Sequence, residues 1–146
     1  CEAGRWKDSV MRLKSVHGIQ TTDVLEHALA DLLTQGNYEA RMRRLSGFLR
    51  ERLEEARGII SDCFPSGTRV SRPASGYTLW VELPETFNTM ELFKQCMAQG
   101  ISFGPGALFT ATDRFNHCLR LSFAGTWTDV ERQALRKIGE ISKGAA

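Results

Sequence analysis

Apolar positions recur at helical spacing through the first sixty residues and then give way to alternation. Residues 5–16 place Trp6, Val10, Leu13 and Val16 at steps of three and four, which predicts a helix. Gly18–Gln20 interrupts that pattern, and Thr21 or Thr22 is positioned to cap a second helix. Its stripe is Leu25, Leu29, Leu32 and Leu33, and Gly36 is its stop. From about Tyr38 to Asp62 a third helix is predicted by Met42, Leu45, Leu49, Leu53, Ala56 and Ile60. A helix of roughly 24 residues would run about 36 Å, a length suited to joining two lobes.

Beyond Pro65-Ser66-Gly67 the pattern changes. Residues 69–72 read as a short strand. The run 77–83, aromatic and β-branched and ended by Pro84, is the strongest strand signal in the chain. Asn88, with Glu91 three residues on, predicts the cap of a helix through Met90, Phe93 and Met97 that stops at Gly100. Residues 101–103 and 118–124 read as two further strands, the first running into Gly104-Pro105-Gly106. Thr128-Asp129-Val130-Glu131 is a capping box opening a last helix with Val130, Ala134, Ile138 and Ile141 inward. Helices at both ends with strands between them give an α+β class. The expected architecture is a small antiparallel or mixed sheet packed by helices and preceded by a long interdomain helix.

Composition removes several functional classes. The chain has 146 residues, 42% hydrophobic and 25% charged, with 19 basic against 17 acidic side chains and a net charge of +2. Such balance is that of an ordinary soluble domain and lacks the one-sided basic surface of a nucleic-acid binder. The run Arg41-Met42-Arg43-Arg44 reads as the solvated face of the long helix rather than a phosphate patch. Cys1, Cys63, Cys96 and Cys118 form no CxxC pair, and His17, His27 and His117 have no i, i+4 spacing, so no metal site is expected. Widely spaced cysteines are expected as reduced, mostly buried thiols of a cytoplasmic protein. No apolar run approaches the roughly 20 residues of a membrane span. An opening of Cys-Glu-Ala-Gly-Arg-Trp without methionine reads as an excision from something longer.

Candidate chemistry rests first on Arg120. Strand alternation puts Leu119, Leu121 and Phe123 on one side and Cys118, Arg120, Ser122 and Ala124 on the other. The first side is core; the second offers one long cation among small residues. A planar guanidinium fork matches a carboxylate through two parallel hydrogen bonds. The same pattern also fits an arginine on the wet face of a sheet. Gly104-Pro105-Gly106 allows a sharp turn and close backbone approach to a ligand, and fits a plain turn equally well. No nucleophile–base constellation is legible, so no catalytic residue is assigned.

Several segments, in order, resemble a known family. Pro73-Ala-Ser-Gly-Tyr-Thr-Leu-Trp-Val-Glu-Leu-Pro84, then a helix, then Gly100-Ile-Ser-Phe-Gly-Pro-Gly-Ala-Leu-Phe109, then Cys118-Leu-Arg-Leu-Ser-Phe-Ala124, are similar to the small domain of fold-type-I class I/II aminotransferases. The likeness is greatest to MocR-type members of the GntR regulators, which fuse a winged-helix domain to an aminotransferase-like domain. Gly36-Asn-Tyr-Glu-Ala-Arg-Met-Arg-Arg-Leu45 resembles the start of their interdomain helix. The resemblance implies residues 1–36 as the end of a large domain, 37–63 as a linking helix and 64–146 as the C-terminal small domain.

It also implies roles. Arg120 would grip the α-carboxylate of an amino-acid substrate or effector, with Gly104, Pro105 and Gly106 at the active-site mouth. Ser75-Gly76 departs from the two glycines of many relatives. The family's cofactor lysine, its pyridinium-pairing aspartate and its phosphate cradle would all precede Cys1. Pyridoxal phosphate is therefore expected in the parent protein and not in this stretch, which is expected to be inactive alone. Homodimerisation of the parent is implied, as is DNA binding only through a missing N-terminal domain. Two other functions stay open: part of a free-standing aminotransferase, and an unrelated α+β ligand-binding or interaction module.

Overall fold

A computed structural model describes residues 4–17, 23–34 and 37–144. Contacts divide the chain into two compact units, residues 1–42 and 43–146.

In the first unit a 3-10 turn, Gly4–Trp6, leads into α1 (Lys7–His17), and α2 (Asp23–Thr34) follows. The predicted caps Thr21 and Thr22 and the stop at Gly36 lie outside the described residues. The apolar stripe of α2 exists, but Leu25, Leu29, Leu32 and Leu33 are all exposed, and no described residue of this unit is buried.

The long helix α3 (Tyr38–Cys63) begins in the first unit and runs into the second, where Leu53, Ala56, Ile59 and Ile60 are buried. The second unit is a four-stranded antiparallel sheet in the order β1-β2-β4-β3, formed by β1 (Arg69–Val70), β2 (Thr78–Glu82), β3 (Gly104–Pro105) and β4 (Cys118–Ser122). Helices α4 (Thr89–Met97) and α5 (Asp129–Gly144) complete it. Leu79 and Val81 of β2 and Leu119 and Leu121 of β4 point to one side. There they meet Leu53, Ile59 and Ile60 of α3, Leu92 and Cys96 of α4, and Leu135 and Ile138 of α5 in a single core. Each such side chain withdrawn from water contributes about 1.5–3 kcal/mol.

Local chemistry sets the helix ends. Asn88 Oδ1 accepts from the backbone N–H groups of Met90 and Glu91 at 3.0 and 3.4 Å. At the other end of α4 the Ile101 N–H returns to the Cys96 carbonyl at 3.0 Å, with Gly100 at φ +73°. Thr128 and Glu131 form the capping box of α5: the Thr128 N–H donates to Glu131 Oε2 at 2.8 Å.

Two expectations fail. Residues 101–103 pair with no strand; the third strand is Gly104–Pro105, opposite Arg120 and Leu119. Residues 101–103 are spent on closing the helix end and burying Phe103. Pro105 lacks an N–H, and it is tolerated because β3 lies at the sheet edge. In α5, Val130 is 71% exposed, and the buried face is Leu135, Ile138, Gly139 and Ser142.

Candidate carboxylate site on the open face of the sheet

The sheet face opposite the core is set by the same alternation. On β2 it carries Thr78, Trp80 and Glu82, and on β4 Arg120 and Ser122, both exposed. Register places Arg120 directly between Trp80 on one neighbouring strand and Gly104 on the other. The face is therefore less open than β4 alone suggests. Cys118 is buried, because Gly106 closes over it, and burial pushes its thiol pKa up.

The Arg120 side chain donates no hydrogen bond to, and makes no ion pair with, any of the described residues. Its contact is aromatic: the guanidinium carbon lies 4.5 Å from the centroid of the Phe109 ring. Phe109 ends a 3-10 turn, Gly106–Phe109, that follows β3 directly. The acid that β2 contributes to this face, Glu82, is engaged elsewhere, accepting from Nε and Nη2 of Arg69 at 3.0 and 2.8 Å. A guanidinium stacked on one face keeps its in-plane N–H donors available, and no carboxylate among the described residues occupies them.

Trp80 is the hub of the surrounding aromatic group. Its ring makes edge-to-face contacts with Phe109 at 5.7 Å and Phe115 at 5.3 Å. A second guanidinium, that of Arg114, sits 5.2 Å from the Phe115 ring. The aromatic group was not singled out as part of the site from sequence. The alternation of 79–83 does hold the signal, since a tryptophan between Leu79 and Val81 must face away from the core.

The three residues of the predicted turn have different situations. Gly104 is half-buried, and a Cβ there would come within 3.2 Å of the Phe109 ring and 3.5 Å of Arg120 Cβ. Pro105 and Gly106 are buried. A Cβ on Gly106 would lie 2.1 Å from the Phe115 carbonyl oxygen and 2.7 Å from that of Cys118. Glycine at 106 is thus required by the chain's own backbone. Thr89, fully buried, ties the same region to α4: its hydroxyl lies 2.9 Å from the Asn116 carbonyl and 2.7 Å from that of Cys118.

Ser75 and Gly76 do not adjoin this arrangement. With Arg50, Glu54, Arg57 and Arg72 they line a separate cleft of about 560 Å³ beside α3. Arg57 is committed there to the carbonyls of Val70 and Ser71, and Arg72 to Glu54. Among the described residues no group of His, Cys, Asp and Glu is placed to hold a metal ion, and no helix is long and apolar enough to cross a membrane. Cys63, Cys96 and Cys118 are free thiols.

No family profile matches the chain. Individual proteins do. An HTH-type transcriptional regulator of Escherichia coli, YdcR, is 30% identical over 139 residues, 95% of this chain and 30% of that protein. The 2-aminoadipate transaminase of Thermus thermophilus is 27% identical over 123 residues, 84% of this chain and 31% of the enzyme. Among solved structures, the α-aminoadipate aminotransferase LysN of the same bacterium, complexed with N-(5'-phosphopyridoxyl)-L-leucine, superposes with a TM-score of 0.77. That match has 25% identity and covers 92% of this chain and 34% of LysN. The chain thus spans about 30% of the length of the curated relatives it matches.

The residues of this chain do not by themselves fit a phosphopyridoxyl group. A lysine that forms a Schiff base is activated by desolvation or a neighbouring cation, whereas all five lysines here lie on exposed helix surfaces. Lys94 and Lys137 are paired with Glu91 and Glu140 of their own helices, and Lys143 reaches the Asp62 carbonyl. By sequence and by fold together, the chain is aminotransferase-like, a relative both of helix-turn-helix regulators of the MocR kind and of aminotransferases.

Proposed function

We propose that this chain is the C-terminal, small-domain portion of a longer MocR-type regulator, and that Arg120 binds the carboxylate of an amino-acid-like effector beside a pyridoxal phosphate site. Residues 1–36 then end a large domain, 37–63 link the two lobes and 64–146 form the small one. Gly104, Pro105 and Gly106 form the mouth of the site. The cofactor's lysine and phosphate contacts come from the rest of that protein, a cytoplasmic homodimer that meets DNA through a separate N-terminal domain. The observation that carries the reading is the Arg120 guanidinium: stacked on Phe109, it is free of any acid among the described residues and is displayed on the sheet face away from the core. Among the described residues no anion neutralises that charge, which meets only an aromatic ring, and a carboxylate is its natural complement.

The test is calorimetric titration of the full-length protein with L-leucine and L-2-aminoadipate, the amino acids named with the relatives. Each is compared with its α-amide. A charge-assisted pair contributes about 1.5–3 kcal/mol, so Arg120→Ala is expected to weaken the carboxylate ligands by at least about ten-fold and the amides little. Equal affinities in the wild type and the variant would remove the proposal. The transaminase relative favours a second reading, in which the intact protein is a free-standing aminotransferase. Amino transfer from the same amino acids to 2-oxoglutarate, without response of any DNA target, would select it.

A further inference from the structure

We propose that Phe109 is a positioning residue for Arg120, a ring that fixes the plane of the guanidinium so that its paired donors face a carboxylate edge-on. The inference rests on the proposed carboxylate binding and names how this chain achieves it. Arginine has several rotatable bonds and loses substantial freedom when it grips a ligand. A side chain already held in its binding orientation loses less, and the affinity gained that way needs no new contact with the ligand.

Three features of the structure hold the ring in place. Phe109 closes the 3-10 turn that leaves β3, so its backbone is tied to the strand paired with Arg120. The Trp80 ring meets it edge-to-face at 5.7 Å, and Trp80 is the cross-strand partner of Arg120. Gly104, the partner on the other strand, supplies the space: a Cβ there would reach to 3.2 and 3.3 Å from the ring tip. The cation stacks on the ring face at 4.5 Å. That attraction acts along the normal of the ring, and a planar fork laid against the ring face keeps its in-plane donors for a carboxylate. Stacking and ligand binding are therefore compatible, in contrast to an ion pair with an internal acid, which would compete.

The experiment measures dissociation constants on the full-length protein by calorimetry. Probes are whichever of L-leucine and L-2-aminoadipate binds the wild type more tightly, and its α-amide. Variants are Phe109→Leu, Phe109→Tyr, Arg120→Lys and the double variant Phe109→Leu/Arg120→Lys. Each is first checked for an unchanged far-UV spectrum and melting temperature. An exposed cation–π contact contributes an amount equivalent to about two- to five-fold in affinity. Phe109→Leu is expected to weaken the carboxylate by that factor and leave the amide unchanged. Phe109→Tyr, which keeps the ring, is expected to retain wild-type binding. In the Arg120→Lys background the Phe109→Leu change is expected to have no further effect.

If Arg120→Lys weakens the carboxylate but Phe109→Leu does not, the positioning role falls and the carboxylate reading stands. If Phe109→Leu weakens carboxylate and amide alike, or acts equally in the lysine background, Phe109 works through something other than Arg120 and the inference is overturned. If Arg120→Lys changes nothing, or neither probe binds the wild type, the carboxylate reading itself fails and this inference with it.

Discussion

The two faces of the four-stranded sheet are built from the same two central strands by opposite rules. On the helix-covered face, Leu79, Val81, Leu119 and Leu121 are buried under α3, α4 and α5, with their space filled by hydrocarbon. On the other, Trp80 meets Phe109 and Phe115 and Arg120 meets Phe109, with no helix packed over them among the described residues. The first face holds the fold together; the second displays a charge that no anion among the described residues neutralises. Substitutions on the covered face should therefore cost stability, and those on the open face should cost binding.

The largest expected effect is Leu119→Ala. Leu119 is fully buried at the centre of the sheet, paired with Val81 on one side and Pro105 on the other. Truncation leaves a cavity that neighbours on two strands can fill only in part, at about 2–5 kcal/mol. Equilibrium denaturant unfolding measures it, and a loss below 1 kcal/mol would show that the face is loosely packed.

Gly106→Ala comes next and acts at the boundary between the faces. The added methyl would meet two carbonyl oxygens of the chain's own backbone, which cannot rotate aside as a side chain can. Overpacking of this kind costs about 1–3 kcal/mol. The same unfolding measurement reads it. Full stability in the alanine variant would mean that the turn over 106–109 shifts freely, and would undercut the fixed place given to Phe109.

How far the sequence alone could go follows from the range of each determinant. The caps of α4 and α5 are local, since Asn88 and the Thr128–Glu131 pair find partners within three residues, and both are as the spacing predicts. Sidedness within β2 and β4 is also local, so Arg120 is legible as facing away from the core. Register is not local. Nothing between residues 78 and 122 announces that Trp80 and Gly104 flank Arg120, so the face looked lined by small residues when an aromatic group stands beside the cation. The third strand was displaced by three residues because Gly and Pro carry almost no strand propensity; tertiary pairing alone makes a strand of Gly104–Pro105. Val130 misled because an apolar residue in a first turn fits a periodic stripe whether or not the core extends that far.

Thr128→Ala is expected to have a smaller effect and to carry a pH signature. Thr128 caps α5: its hydroxyl accepts from the Val130 N–H at 3.3 Å and meets Glu131 Oε2 in a short contact. Loss of such a cap costs about 1 kcal/mol. The Glu131 carboxylate accepts from the Thr128 and Thr126 hydroxyls and from the Thr128 N–H, which lowers its pKa from 4.5 to about 2. A carboxyl depressed in the folded state binds fewer protons there than when unfolded. Its contribution is therefore complete above about pH 4.5 and is lost as pH falls through about 2. Glu55, held low chiefly by Arg132 and also by the Trp127 N–H, adds in the same direction. Unfolding followed from pH 6 to pH 2 should show stability falling in acid, with a shallower fall in Thr128→Ala. An identical slope in the variant would separate the cap from the titration.

The smallest stability effect is expected at the residue with the largest proposed consequence for binding. Arg120 is exposed, its side chain has no hydrogen bond or ion pair among the described residues, and it touches one aromatic ring that Trp80 also holds. Arg120→Ala removes one exposed cation–π contact and leaves no buried partner unsatisfied, so unfolding free energy should change by no more than about 0.5–1 kcal/mol. Urea unfolding of the variant beside Leu119→Ala gives the two faces in one experiment. A loss of 2 kcal/mol or more at Arg120 would mean that its charge or its stem is structural, and the division of labour between the two faces would fail at the residue on which it matters most. A change that small, set against weakened carboxylate binding in the full-length protein, is the pattern of a side chain kept for a ligand.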